Sequence, residues 1–183
     1  MVRSGIRSPL RKTLLPTTDL AGDFLITERT VEDIFNTLRQ QSQEGPASDG
    51  NEGLVFLAGW RTDLLVFYST VIGPRVQNNY GSVFVTAAEF GHCAKRARHA
   101  TVQILAQVHS HPDTCCHHSD GDDKLIILPF EGMLSVVVPH YGTHDVPLTQ
   151  CGIHQYRKGA WCLCTESSVQ EHFITAPSSI LVI

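Results

Sequence analysis

At 183 residues and 20.2 kDa the chain has the length of about one domain, enough to bury a core without disulfide staples. Fourteen Lys and Arg stand against 18 Asp and Glu, a formal charge of −4, which argues against a surface built to track a phosphate backbone. Ten histidines and six cysteines are the anomalies of the composition.

Residues 1–21 carry Arg3, Arg7, Arg11 and Lys12, but Pro9 and Pro16 break the apolar stretch. That is neither a signal h-region nor a transit helix, and the segment reads as an extension. Residues 22–183 form the expected single domain. Phe24-Leu25-Ile26 predicts a short strand. Thr30 is the expected N-cap of a helix carrying Val31, Ile34, Phe35 and Leu38 at helical spacing, with Asp33 three residues on. Glu44–Gly50 is a loop. Gly53-Leu-Val-Phe-Leu-Ala58 is too short for a helix and apolar on both faces, hence a buried strand. Leu64–Ile72 is the next strand, joined through a hairpin turn at Arg61-Thr62-Asp63.

Val83-Phe84-Val85 is a further strand, and Thr86 caps a helix to about His99. Its His92, Lys95, Arg96, Arg98 and His99 make a basic face, read as solvated. Val102–Val108 is a strand that runs into His109-Ser-His-Pro112. A short helix follows near Ser119–Ile127, then strands at Met133–Val138 and Gly152–Tyr156, a strand-like Cys162-Leu-Cys164, and a mixed tail ending in Ile180–Ile183. The longest apolar runs are strand-sized, far below the ~20 residues that span a bilayer. The alternation predicts an α/β sandwich, soluble and cytoplasmic. Cys93, Cys115, Cys116, Cys151, Cys162 and Cys164 are read as thiols, because a domain of this size needs no disulfide framework.

The stretch that carries chemistry is His109-Ser110-His111-Pro112, followed by Ser119 and Asp122. Two histidines at i and i+2 at a strand end point to one side, and an Asp at the start of the next helix can return to supply a third ligand. Two His and one carboxylate, with a fourth position left for water, are the open donor set of a catalytic zinc site. Plainer readings exist for each residue. The histidines could be a hydrogen-bonded pair, Ser119 only a helix N-cap, and Asp120 or Asp123 the ligand in place of Asp122. The run Cys115-Cys116-His117-His118 is either a part-exposed loop with incidental side chains or a set of soft ligands beside the site.

The pattern H-S-H-P-x6-S-x2-D resembles the signature of the JAMM (MPN-plus, JAB-domain) zinc metalloproteases over about residues 24–160. The resemblance implies the cytidine-deaminase-like α/β sandwich of that family, a curved mixed sheet with flanking helices. It implies Zn2+ held by His109, His111 and Asp122, with zinc-bound water as nucleophile and Ser119 supporting the tetrahedral intermediate. The family's general base, a Glu before a glycine and a buried strand, falls on Glu52 in Glu52-Gly53-Leu-Val-Phe-Leu-Ala-Gly59, ahead of Glu44 in the loop and Glu89 in a helix. The activity implied is release of a ubiquitin-like protein at its C-terminus. The compact chain is similar to stand-alone bacterial JAB proteins, some of which accompany E1- and E2-like enzymes or antiviral-defence modules. Neither nucleic acid nor membrane is an expected partner. The rival expectations are a zinc hydrolase of small amides or peptides, of the sulfur-carrier or cysteine-releasing type, and a non-catalytic MPN interaction module.

Overall fold

The structure, a computed structural model, describes residues 17–119, 121–125 and 128–178. In chain order these form β1 (Thr17–Thr18), β2 (Asp23–Thr27), α1 (Glu28–Glu44), β3 (Leu54–Arg61), β4 (Leu65–Ile72), β5 (Gln77–Asn79), β6 (Ser82–Phe84) and α2 (Ala87–His99). There follow β7 (Gln103–Ser110), α3 (Asp122–Leu125), β8 (Leu134–Val138), β9 (Gly152–Arg157), β10 (Ala160–Cys164), α4 (Glu166–His172) and β11 (Phe173–Ala176). One mixed sheet runs β1-β10-β9-β8-β7-β3-β4-β2-β11, and β5 and β6 make a separate ribbon. β7 is the middle strand, antiparallel to β3 and parallel to β8. Among the described residues no helix is long and apolar enough to cross a membrane.

β3 shows why the strand is apolar throughout. Its alternate side chains enter two cores: Val55 and Leu57 pack with Ile34, Phe35 and Leu38 of α1, while Leu54, Phe56 and Ala58 pack with Cys93 and Ala97 of α2. Period 2 thus splits one strand between two layers, which is the logic of a sheet covered on both faces. α2 begins where Thr86 predicts, its hydroxyl accepting from the Glu89 N–H at 3.2 Å.

α1 begins earlier than Thr30 predicts. Thr27 is the N-cap, accepting from the Thr30 N–H at 3.2 Å, and Thr30 is buried within the first turn against the Thr27 hydroxyl at 2.8 Å. Two threonines at i and i+3 present the same local signal, and the packing of Thr30 decides between them. The same helix runs on through Glu44, which is helical and not part of the following loop.

The far side of the sheet differs most from expectation. Thr17–Thr18 at the end of the predicted extension pair with β10, and Leu20 is buried. The chain beyond Cys164 forms α4 and then β11, which pairs in parallel with β2. Two- and four-residue strands carry no readable period; their partners lie some 150 residues away in sequence. Val83 belongs to the β5–β6 ribbon and not to the main sheet. Residues 1–16 of the extension and the run Ile180–Ile183 lie outside the described residues.

Candidate metal centre

The site lies at the C-terminal end of the middle strand. β3 pairs with β7 so that Leu54 stands opposite His109. One residue outward Gly53 meets Ser110, while the Glu52 N–H leaves the ladder and donates to the Asn79 carbonyl of the ribbon at 3.0 Å. The pairing is tightened at that end, because the Ser110 N–H donates to the Gly53 carbonyl at 3.0 Å and the Gly53 N–H donates to Ser110 Oγ at 2.9 Å. Ser110, between the two histidines, therefore anchors the residue next to Glu52. On the other side the His111 N–H donates to the Val138 carbonyl at 2.8 Å, extending the β7–β8 ladder by one residue. Behind Glu52, Gln41 of α1 accepts from the Leu54 N–H at 2.7 Å.

His109, His111 and Asp122 come together, with one ligand atom from each within 4.8 Å of the others, and all three are buried. His111 Nε2 is 3.2 Å from Asp122 Oδ2 and His109 Nε2 is 3.5 Å from Asp122 Oδ1. A tetrahedral zinc with bonds of 2.0–2.1 Å has ligand–ligand edges of roughly 3.3 to 3.4 Å, so these spacings fit such an ion. The donor chemistry agrees. His111 Nδ1 donates to the Cys115 carbonyl at 2.8 Å, which leaves the neutral ring's Nε2 lone pair aimed at a carboxylate oxygen. Two lone pairs facing each other need a cation or a proton between them. His109 is fully buried, and neither of its nitrogens has a hydrogen-bond partner among the described residues, a costly state for an imidazole without a ligand.

Electrostatics follow from the same contacts. Burial alone would raise the Asp122 carboxyl, but the facing imidazoles of His109 and His111 and the Ser119 N–H hold it well below the usual carboxylate range. Burial pushes His109 down. For His111 burial also works against the charged form, yet Asp122, Glu52 and the Cys115 carbonyl leave it raised. Glu52, only 5% exposed, is pushed up to about 7 by burial; His111 opposes the rise and the Asp122 and Asp113 charges add to it. Its carboxylate makes no hydrogen bond among the described residues. A carboxyl poised there is matched to moving protons near neutral pH.

Ser119 is exposed beside Asp122. Its Oγ accepts from the N–H groups of Gly121 at 3.2 Å and Asp122 at 3.3 Å, and its own N–H donates to Asp122 Oδ2. It caps α3, as the plainer reading holds, and its hydroxyl hydrogen remains available to an incoming oxygen. Asp123 turns away to His118, and Asp120 lies outside the described residues. Glu44, at the end of α1, takes a hydrogen bond from Gln40, and Glu89 accepts from the Arg75 N–H; neither joins the metal group.

Sequence reasoning missed Ser110 and His154 and left the role of His118 open. Ser110 has the anchoring role just given. His118 is buried, not an incidental loop side chain, and its ring stacks on that of His154 with centroids 3.9 Å apart. His117 beside it is exposed. His118 stood in the Cys115–His118 run already read as either an incidental loop or soft ligands. The only signal for His154 was the histidine count, because its meeting with His118 depends on strand register. A left-handed turn completes the frame. His140 and Tyr141 have φ of 53° and 55°, the Tyr141 N–H donates to the His111 carbonyl at 2.8 Å, and the Tyr141 hydroxyl donates to the Tyr80 carbonyl of the ribbon turn at 2.9 Å.

No family model and no curated protein matches the chain. Among solved structures, the solution structure of protein DSY2949 from Desulfitobacterium hafniense is similar with a TM-score of 0.62 at 17% identity, covering 85% of this chain and 94% of that one. The crystal structure of AF2198, a JAB1/MPN domain protein from Archaeoglobus fulgidus, is similar with a TM-score of 0.41 at 15% identity, covering 76% and 97%. At 17% identity the likeness to DSY2949 is one of fold, and the fold of this chain is a mixed α/β sandwich with a strongly curled sheet and flanking helices, as the sequence predicts.

Proposed function

We propose that the chain is a zinc-dependent hydrolase of the JAMM type, cutting the peptide or isopeptide bond after the C-terminal tail of a ubiquitin-like protein. The observation that carries the reading is Glu52. Glu52 directly precedes Gly53, which is anchored by Ser110 between the two histidines. It is near enough to His111 and Asp122 for their charges to act on its carboxyl, which burial lifts to about 7. Those two residues belong to a buried His-His-Asp group whose spacing suits zinc.

Zinc, when bound, supplies Lewis acidity that polarises a carbonyl and brings the pKa of water to about 7. The chain supplies the rest. Glu52 takes a proton from the attacking water and delivers it to the leaving amine, a role its raised pKa suits at neutral pH. The Ser119 hydroxyl donates to the oxygen on which negative charge develops. The choice of a ubiquitin-like substrate, of E1- and E2-like partners and of a bacterial, cytoplasmic setting rests on the resemblance of H-S-H-P-x6-S-x2-D to the family signature. A glycine-ended tail suits an extended chain that passes close to a strand.

The test presents the purified chain with a ubiquitin-like protein fused to a reporter, beside a panel of short peptides and small amides. Cleavage of the fusion, abolished by phenanthroline and restored by zinc, is the expected result. Equal cleavage of the short peptides would replace the substrate class with small amides. A zinc-loaded chain that cleaves nothing would overturn the enzymatic reading and leave a binding module.

A further inference from the structure

Three core strands carry a polar row. Register pairs Gln107 of β7 with Ser135 of β8, and Ser135 with His154 of β9, so the three side chains stand abreast on one face of the sheet. All three are buried to within 1% exposure. His109, two residues along β7 from Gln107, shares that face. The neighbouring row is His109, Val137 and Gly152. Gly152 leaves room there that a side chain would fill, and the Cys116 carbonyl takes it: a Cβ on Gly152 would lie 1.8 Å from that oxygen. The loop after His111 is thereby laid flat across the sheet.

His118 is the residue that this placement delivers onto the polar row. Its ring is fully buried and satisfied at both ends, with Nδ1 3.0 Å from Asp123 Oδ1 and Nε2 2.9 Å from Ser135 Oγ. The Asp123 carboxylate only accepts, so Nδ1 carries a proton, and Nε2 shares a hydrogen bond with the Ser135 hydroxyl. Ser135 in turn accepts from the Gln107 amide at 3.1 Å. The His118 N–H donates to His154 Nε2 at 3.3 Å, which His154 can accept because burial pushes its pKa down to about 2. The connectivity is that of a Ser-His-Asp triad, but a fully buried Ser135 cannot be a nucleophile.

The network's consequence lies at α3. A four-residue helix does not hold itself in place. Of its described side chains, Asp122 faces the two histidines and Asp123 faces His118. We infer that His118 is a positioning residue for the metal group: through Asp123 on one side and Ser135 and Gln107 on the other, it ties α3 to the middle strands so that Asp122 meets His109 and His111. The inference rests on the reading that this group holds a metal.

The test measures zinc affinity of the metal-free full chain by competition with a chromophoric chelator, together with the melting temperature of each metal-free variant. Asp123 is the informative position, because its side chain is 41% exposed and its removal leaves the core intact. Asp123→Ala, which releases His118 Nδ1, is expected to weaken zinc by about 10- to 100-fold, the usual effect of losing a partner one shell out, together with a modest fall in melting temperature from the buried nitrogen left unpaired. Asp123→Asn keeps a carbonyl acceptor and is expected to restore most of the affinity. His118→Gln reaches Ser135 but not Asp123 and is expected to behave as Asp123→Ala does. Wild-type affinity in both Asp123→Ala and His118→Gln would overturn the inference while leaving the metal site standing. A wild-type chain that binds no zinc would instead overturn the metal reading, and this inference with it.

Discussion

Glu52 is a carboxyl whose pKa the fold raises to about 7, and this gives it two measurable properties. In the metal-free chain its pKa is about 7 against 4.5 for the free group, so between those values the folded state holds a proton that the unfolded state has released. The stability it contributes is full below pH 4.5 and is lost as pH rises through about 7. Gln cannot ionise, so Glu52→Gln should gain on the wild type from about pH 5 to about pH 8 in urea titrations of chelator-treated protein; a constant difference would mean that Glu52 is not a buried acid. The same substitution should cost at least about 10²- to 10⁴-fold in turnover, the contribution of a general base, with zinc content unchanged by elemental analysis. The His109–His111–Asp122 group was readable because its spacing along the chain is itself the signal, whereas Glu52 was reached only through the resemblance to the family signature. The roles of Ser110 and His154, and the tie from His118 to Ser135, were not readable, because each depends on a residue that only strand pairing brings near.

Two glycines separate what an element needs to pack from what the site needs. Gly59 sits where the β3–β4 register shifts, and a Cβ there would lie 1.8 Å from the Phe67 carbonyl oxygen. Gly152 is equally crowded, by the Cys116 carbonyl. Either Gly→Ala change forces backbone apart and should cost about 1–3 kcal/mol, read as a lower midpoint in denaturant. Only Gly152→Ala should also weaken zinc in the molecules that remain folded, because it displaces the loop leading to His118 and Ser119. Equal zinc affinity in the two variants would show that the loop's seat on β9 is irrelevant to the site. Elements follow a related rule of readability. β3, β7 and β8 announced themselves as apolar runs, and α2 by Thr86 as its cap. The edge pairings of β1, β10, β2 and β11 did not, since strands this short take their conformation from distant partners.

For the molecule as a whole, metal and proton act on the same folded state. An ion bound only by the native site adds RT ln(1 + [L]/Kd), about 2.7 kcal/mol at a hundredfold excess over Kd, so zinc should raise the melting temperature of the wild type and not of His109→Ala. In the metal-free chain His154 acts on the acid side, together with Asp122, whose lowered carboxyl loses its stabilising contribution at still lower pH. Burial pushes His154 down to about 2 from 6.5, so the folded state binds fewer protons than the unfolded chain below pH 6.5, and stability present above that value falls as pH drops. His109, also pushed down by burial, acts in the same direction, whereas Glu52 acts in the opposite one. His154→Gln keeps an acceptor for the His118 N–H and removes the titration. Its stability curve below about pH 6 should therefore be shallower than the wild type's by up to about 1.4 kcal/mol per pH unit, the value of one proton. Parallel curves in chemical denaturation across this range would show that His154 takes up its proton without unfolding the sheet that buries it.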